Sequence, residues 1–161
     1  MGTFKGSETF ILDPKGRVNI PAKMKKCIPA EAENTFVLMR GVDKCIAAYP
    51  KNIWEHKYHP QLENLNQFNR DHTKLLRMML RYCEEVVLDS VQRIMLPKDL
   101  LDFAGIEGSV TIIGMHDHIE LWHPDTYKKY LDDIEEKYEE IAEQVMTRKI
   151  EKVNNETHNT I

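Results

Sequence analysis

Apolar and polar positions along this chain alternate in short runs, broken by two stretches in which apolar residues recur every three or four positions. Residues 10–12 form a short apolar run. Val18 and Ile20 then alternate with Arg17 and Asn19, the two-residue period of a strand that buries the first pair and exposes the second. Between them, Asp13-Pro14-Lys15-Gly16 places Asp, Pro and Gly where a type I turn prefers them, so the two runs are expected to form a hairpin. Pro21 suits the first turn of a helix, where its missing N–H costs nothing, and residues 22–28 allow about two turns. Phe36-Val-Leu-Met39 and Cys45-Ile-Ala-Ala-Tyr49 supply two further strands across Gly41-Val-Asp43.

The same order then returns. Residues 86–88 lead into Asp89-Ser-Val-Gln92, and Ile94 and Leu96 alternate with Arg93 and Met95. Pro97 opens a helix that Gly105 ends, and residues 110–113 and 119–122 are strands. Phe10-Ile-Leu-Asp13-Pro-Lys-Gly-Arg17-Val-Asn-Ile-Pro21 and Val86-Val-Leu-Asp89-Ser-Val-Gln-Arg93-Ile-Met-Leu-Pro97 lie 76 positions apart and share Leu-Asp-x-x-x-Arg-(Val/Ile)-x-(Ile/Leu)-Pro. Such self-similarity marks one small unit used twice. The second turn lacks the Pro and Gly of the first, so the first turn is expected to do more of the binding and the second to complete the fold.

Residues 51–83 carry Leu62, Leu65, Phe68, Leu75, Leu76, Met79, Leu80 and Cys83 mostly at helical spacing, which predicts helices rather than a linker. Beyond the second unit, Asp125 is placed to cap a long helix striped by Tyr127, Tyr130, Leu131, Ile134, Tyr138, Ile141, Ala142, Val145 and Met146. That stripe packs either on the two units or on a neighbouring subunit. The expected organisation is a first repeat at 7–54, a helical connector at 55–82 and a second repeat at 83–126. An amphipathic helix at 127–152 and a polar, fraying tail at 153–161 complete it.

Composition adds that 161 residues with 42% apolar and 30% charged content make one domain, or two small units sharing a core. Cys27, Cys45 and Cys83 are odd in number and lack Cys-x-x-Cys spacing, which argues against a disulfide frame and a structural zinc site and for small buried hydrophobes. No apolar leader opens the chain and no run of about 18 apolar residues occurs, so a cytoplasmic protein with no membrane partner is expected. The net charge of -4 hides an asymmetry. Residues 1–28 hold six Lys and Arg, including Lys15, Arg17, Lys23, Lys25 and Lys26, against Glu8 and Asp13, a local +4. Residues 131–161 hold nine carboxylates against four basic residues, a local -5. A molecule divided in this way offers a positive face to a polyanion.

Asp-x-x-x-Arg across a tight turn lets a carboxylate hold a guanidinium, which is then aimed as well as charged. One copy reads as a structural clasp. Two copies about a pseudo-twofold would present Arg17 and Arg93 from related hairpins, and a two-stranded ribbon bearing arginines fits a DNA major groove. Lys15, Lys23, Lys25 and Lys26 would then meet phosphates.

Leu12-Asp-Pro-Lys-Gly-Arg17-Val-Asn-Ile-Pro-Ala22, its copy Leu88-Asp-Ser-Val-Gln-Arg93-Ile-Met-Leu-Pro97, and Leu75-Leu-Arg-Met-Met-Leu-Arg-Tyr-Cys83 resemble the MraZ family of bacterial transcriptional regulators, over nearly the whole chain. The resemblance implies an α+β, β-rich fold in which tandem SpoVT-AbrB-like repeats form a swapped-hairpin or double-psi β-barrel pseudo-dimer, with connecting helices and a long C-terminal helix. It also implies a ring-shaped homo-oligomer that binds double-stranded DNA at tandem repeats upstream of the division and cell-wall gene cluster, associated with the nucleoid. The family's DNA-contacting arginine falls on Arg17 and its counterpart on Arg93; Lys15, Lys23 and Lys25 join them, and Asp13 and Asp89 orient the arginines.

Two other classes of function compete with this reading. Catalysis lacks a nucleophile elbow, a phosphate loop or a metal-ligand helix: Ser90 has no identifiable base, and His116-Asp117-His118 and His56 with His59 are incomplete as metal sites and read as solvated turn residues. No enzyme activity, cofactor, metal or small-molecule substrate is therefore expected. A protein-binding scaffold using the acidic C-terminal helix, or an AbrB-like antitoxin, is the remaining alternative.

Overall fold

In the computed structural model, which describes residues 2–158, each repeat builds its strands into the other. The first repeat supplies β1 (Ser7–Ile11), β2 (Arg17–Asn19), the single turn of α1 (Ala22–Lys25), β3 (Thr35–Arg40) and β4 (Ile46–Pro50). Three connecting helices follow, α2 (Lys51–Lys57), α3 (His59–Glu63) and α4 (Arg70–Leu80). The second repeat supplies β5 (Glu84–Val87), β6 (Arg93–Met95), α5 (Lys98–Ala104), β7 (Ser109–Gly114) and β8 (Ile119–Trp122). Then come α6 (Pro124–Ile134), a 3-10 turn at Glu135–Lys137 and α7 (Tyr138–His158). The chain divides between Pro124 and Asp125 into a β-rich unit and a helical one. The fold is α+β with mostly antiparallel strands.

Six strands form one sheet in the order β1-β7-β8-β4-β3-β5, and β2 pairs with β6 in a separate two-stranded ribbon. The order is its own mirror when first-repeat strands are exchanged for their second-repeat counterparts. In the ribbon Val18 stands opposite Ile94, two residues in equivalent places of the repeat, so a local twofold axis passes through that pair. One cluster joins the repeats, since Val18, Ile20, Phe36, Leu38 and Ile46 pack with Ile94, Leu96, Leu100, Ile112 and Leu121. The alternation that marked Val18, Ile20, Ile94 and Leu96 as inward therefore selected the shared core.

Several expectations change. Residues 10–12 and 17–20 do make the tight turn, with Gly16 N–H donating to Asp13 O at 3.0 Å, but no ordinary hairpin follows. β1 pairs with β7 and β2 with β6, so both strands of the expected hairpin find their ladder partners on the other repeat. Helix α1 has four residues instead of two turns, and Pro21 is its N-cap rather than its first helical residue. Gly105 ends α5 in the left-handed conformation as expected, with φ 65°. The long C-terminal helix is interrupted by the 3-10 turn at Glu135–Lys137, and Asp125 lies within the first turn of α6 instead of capping it. Helix α7 extends to His158; residues 159–161 of the expected tail lie outside the described residues.

Candidate nucleic-acid interface

The ribbon has two unlike faces. Val18 and Ile94 point into the core at 1% and 0% exposure, so the period of two puts Arg17, Asn19, Arg93 and Met95 on the outer face. Arg17 stands opposite Met95, and Asn19 opposite Arg93.

Each arginine is held by the aspartate that opens its turn. Asp13 Oδ1 accepts from the backbone N–H groups of Lys15 and Arg17 at 2.9 and 2.8 Å, while Arg17 Nε donates to Asp13 Oδ2 at 2.6 Å. Asp89 Oδ1 accepts from Val91 and Arg93 at 3.0 and 2.9 Å, and Arg93 Nε donates to Asp89 Oδ2 at 2.8 Å. The two turns are thus built alike, although Gln92 stands where the first has glycine: Gln92 takes φ 60° and Gly16 φ 81°. The difference in residue follows from surroundings. Gly16 is buried against the second repeat, its carbonyl accepting from Leu96 N–H at 2.8 Å, whereas Gln92 is exposed and its side chain has room.

Backbone donation from Arg17 is the leading cause that holds the Asp13 carboxyl below its ordinary value, and donation from Arg93 does the same for Asp89. Both aspartates therefore stay ionised near neutral pH and fix the Nε side of each guanidinium, which leaves the Nη groups at the outer end. Arg93 Nη1 also comes within 3.7 Å of Asp13 Oδ2, so one carboxylate touches both arginines and ties the two turns together.

Among the expected cations, Lys15 is exposed at the first turn. Lys23 is not part of this cluster. Its ammonium lies against Gly6, beyond the far end of β1, roughly 20 Å from Asp13 at the rise of a strand. Lys25 sits on α1 with Lys23.

Residues 3–78 and again residues 79–149 match the family model described as "MraZ protein, putative antitoxin-like". The chain belongs to the MraZ family. A curated relative named Transcriptional regulator MraZ, from Cytophaga hutchinsonii, is 33% identical over 146 residues, which cover 91% of this chain and 96% of that protein. Each of the two MraZ segments carries one Asp-x-x-x-Arg turn, so the paired match and the paired turns describe the same duplication. Among the described residues, no helix is long and apolar enough to cross a membrane.

One cluster escaped sequence reasoning. His118 stacks on Tyr49 with ring centroids 4.2 Å apart and bonds to Asp117, which also pairs with Lys57. Tyr49 and Tyr58 share a hydroxyl hydrogen bond of 2.8 Å. The Asp117 and His118 side chains are only 12% and 14% exposed, so they are not solvated turn residues but the anchor of α2 on the sheet. Nothing in their spacing announced this, because the partner tyrosine lies nearly 70 residues away in sequence.

Proposed function

We propose that the chain is a sequence-specific DNA-binding transcription regulator that inserts the β2–β6 ribbon into the major groove. The supporting observation is the placement on one outward face of two arginines, each clasped by the aspartate four positions before it and related by a local twofold. In the proposed mode a guanidinium whose Nε side is fixed by a carboxylate directs its outer end toward guanine O6 and N7, as at Arg17, while Arg93 shares one Nη with Asp13 across the ribbon. Lys15 supplies phosphate contact at the first turn; Lys23 and Lys25, on α1, contribute through the field of the basic N-terminal region rather than at the groove.

The family resemblance extends this reading to tandem repeats upstream of the division and cell-wall genes, in the cytoplasm at the nucleoid, bound by a ring of subunits. A chain with net charge -4 gains from such an assembly, because several weak ribbon contacts on successive repeats act as one strong one. The exposed stripe of α7, with Tyr138, Ile141, Val145 and Met146 between 44% and 72% exposed, supplies apolar surface for subunit contact.

The test is a labelled duplex from upstream of the protein's own gene. Binding should weaken steeply as salt rises, and Arg17→Ala should lose at least about ten-fold in affinity. Equal affinity in that variant would sink the ribbon mechanism. A wild-type chain that binds no DNA at all would leave the scaffold role of the acidic C-terminal helix.

A further inference from the structure

Only one diagonal of the ribbon's outer face obeys the repeat. Arg17 and Arg93 are twofold mates of the same chemistry; Asn19 and Met95 are also twofold mates, and they are an amide and a thioether. Each sits directly across from an arginine, Met95 beside Arg17 and Asn19 beside Arg93. Neither is occupied elsewhere: Met95 is 49% exposed, and Asn19 is exposed and makes no side-chain hydrogen bond among the described residues. The turns repeat the mismatch, since exposed Lys15 has Val91, 56% exposed, as its counterpart.

We infer that Asn19 and Met95 give the ribbon a direction on DNA, Asn19 reading adenine and Met95 lying against the 5-methyl group of thymine, so that one ribbon selects a non-palindromic site. The inference rests on the major-groove reading proposed above and names the side chains that would set its specificity. The geometry is compact. Cross-strand neighbours on one face have Cβ atoms about 5 Å apart, and two residues along a strand advance about 7 Å, or about two base-pair steps. All four side chains therefore address one stretch of about three base pairs. A carboxamide presents a donor and an acceptor side by side, which matches N7 and N6 of adenine; a thioether offers apolar, polarisable surface and no donor, which suits a methyl group. With arginine at both ends, the two ends agree on guanine and differ on its neighbour.

The experiment is selection of duplexes from a random pool with the full-length chain, followed by replacement of each thymine in the selected site by deoxyuridine. Wild type should yield a non-palindromic site, and removal of one thymine methyl should cost about four-fold in affinity. That sensitivity should vanish in Met95→Ala and persist in Asn19→Ala, which should instead lose roughly ten-fold of its preference for adenine. The exchange N19M/M95N should select the same guanines with the flanking preferences on opposite sides. A palindromic wild-type site, indifference to every uracil, or an exchanged variant that keeps the wild-type site would each overturn the inference while leaving DNA reading intact. Failure of wild type to enrich any sequence would overturn DNA reading itself. Should the exchanged variant not fold by circular dichroism, the uracil scan on wild type decides alone.

Discussion

Among the three positions at which the two turns differ is a glycine, and its surroundings explain why only one copy keeps it. Both turns need a residue with positive φ, where a side chain is disfavoured, and Gln92 occupies such a position at φ 60° because it is exposed. At Gly16 a Cβ would stand 2.9 Å from the Leu96 carbonyl oxygen. Gly16→Ala should therefore lower unfolding stability by about 2 kcal/mol in urea titrations, while Gln92→Gly should stay within about 1 kcal/mol of wild type. Equal effects would show that the two turns do not differ in packing. The aspartates make a second prediction. Their carboxyls are held below the ordinary value of 3.8, so the unfolded chain binds more protons than the folded one around that pH. Their contribution to stability is fully present above that value and is lost as pH falls through it to the lower folded value. D13N/D89N should flatten the acid limb of a stability-versus-pH curve below about pH 4.5, and an unchanged limb would deny the clasp any role in stability.

At the scale of elements, the strands were legible and their partners only in part: β3 with β4 and β7 with β8 pair across the expected turns, while β1, β2, β5 and β6 pair across the repeats. Alternation in residues 17–20 and 93–96 marked which side chains enter the core, and those side chains are buried. Alternation is a local property, however, and does not name the strand across the ladder. Sequence proximity argues for hairpins, which holds for β3–β4 and β7–β8, whereas β1 and β5 ladder onto β7 and β3 of the other repeat. It follows that a fragment of residues 1–82 loses the partners of β1, β2 and the outer edge of β3 at once. It should show neither a cooperative thermal transition nor dispersed amide resonances, whereas the β-rich unit ending at Pro124 should show both. A stably folded short fragment would mean that the exchange between repeats is dispensable. The same exchange explains why the candidate site was only half legible. Asp13 with Arg17 and Asp89 with Arg93 could be paired from spacing alone, but the 3.7 Å approach of Arg93 to Asp13 and the mixed face with Asn19 and Met95 exist only because β2 and β6 lie side by side.

For the whole molecule, charge and assembly decide what the ribbon can do. The chain is acidic overall and the ribbon itself carries two arginines beside two aspartates, so one copy gains little long-range attraction for DNA. In the proposed mechanism, assembly supplies what charge does not. Light scattering at micromolar concentration should give several times the 18.9 kDa of one chain, and a monomeric mass would remove the multivalent mechanism. The sequence by itself determined the duplication, the inward and outward residues of β2 and β6 and the clasp within each turn, because these depend on neighbours within a few positions. Tertiary structure decided that the two repeats interlock, that both arginines share one ribbon, that Lys23 lies away from it and that His118 is a half-buried anchor. Those outcomes rest on which distant apolar faces fit together, and complementarity over such separations is a property of the folded surface rather than of any local pattern.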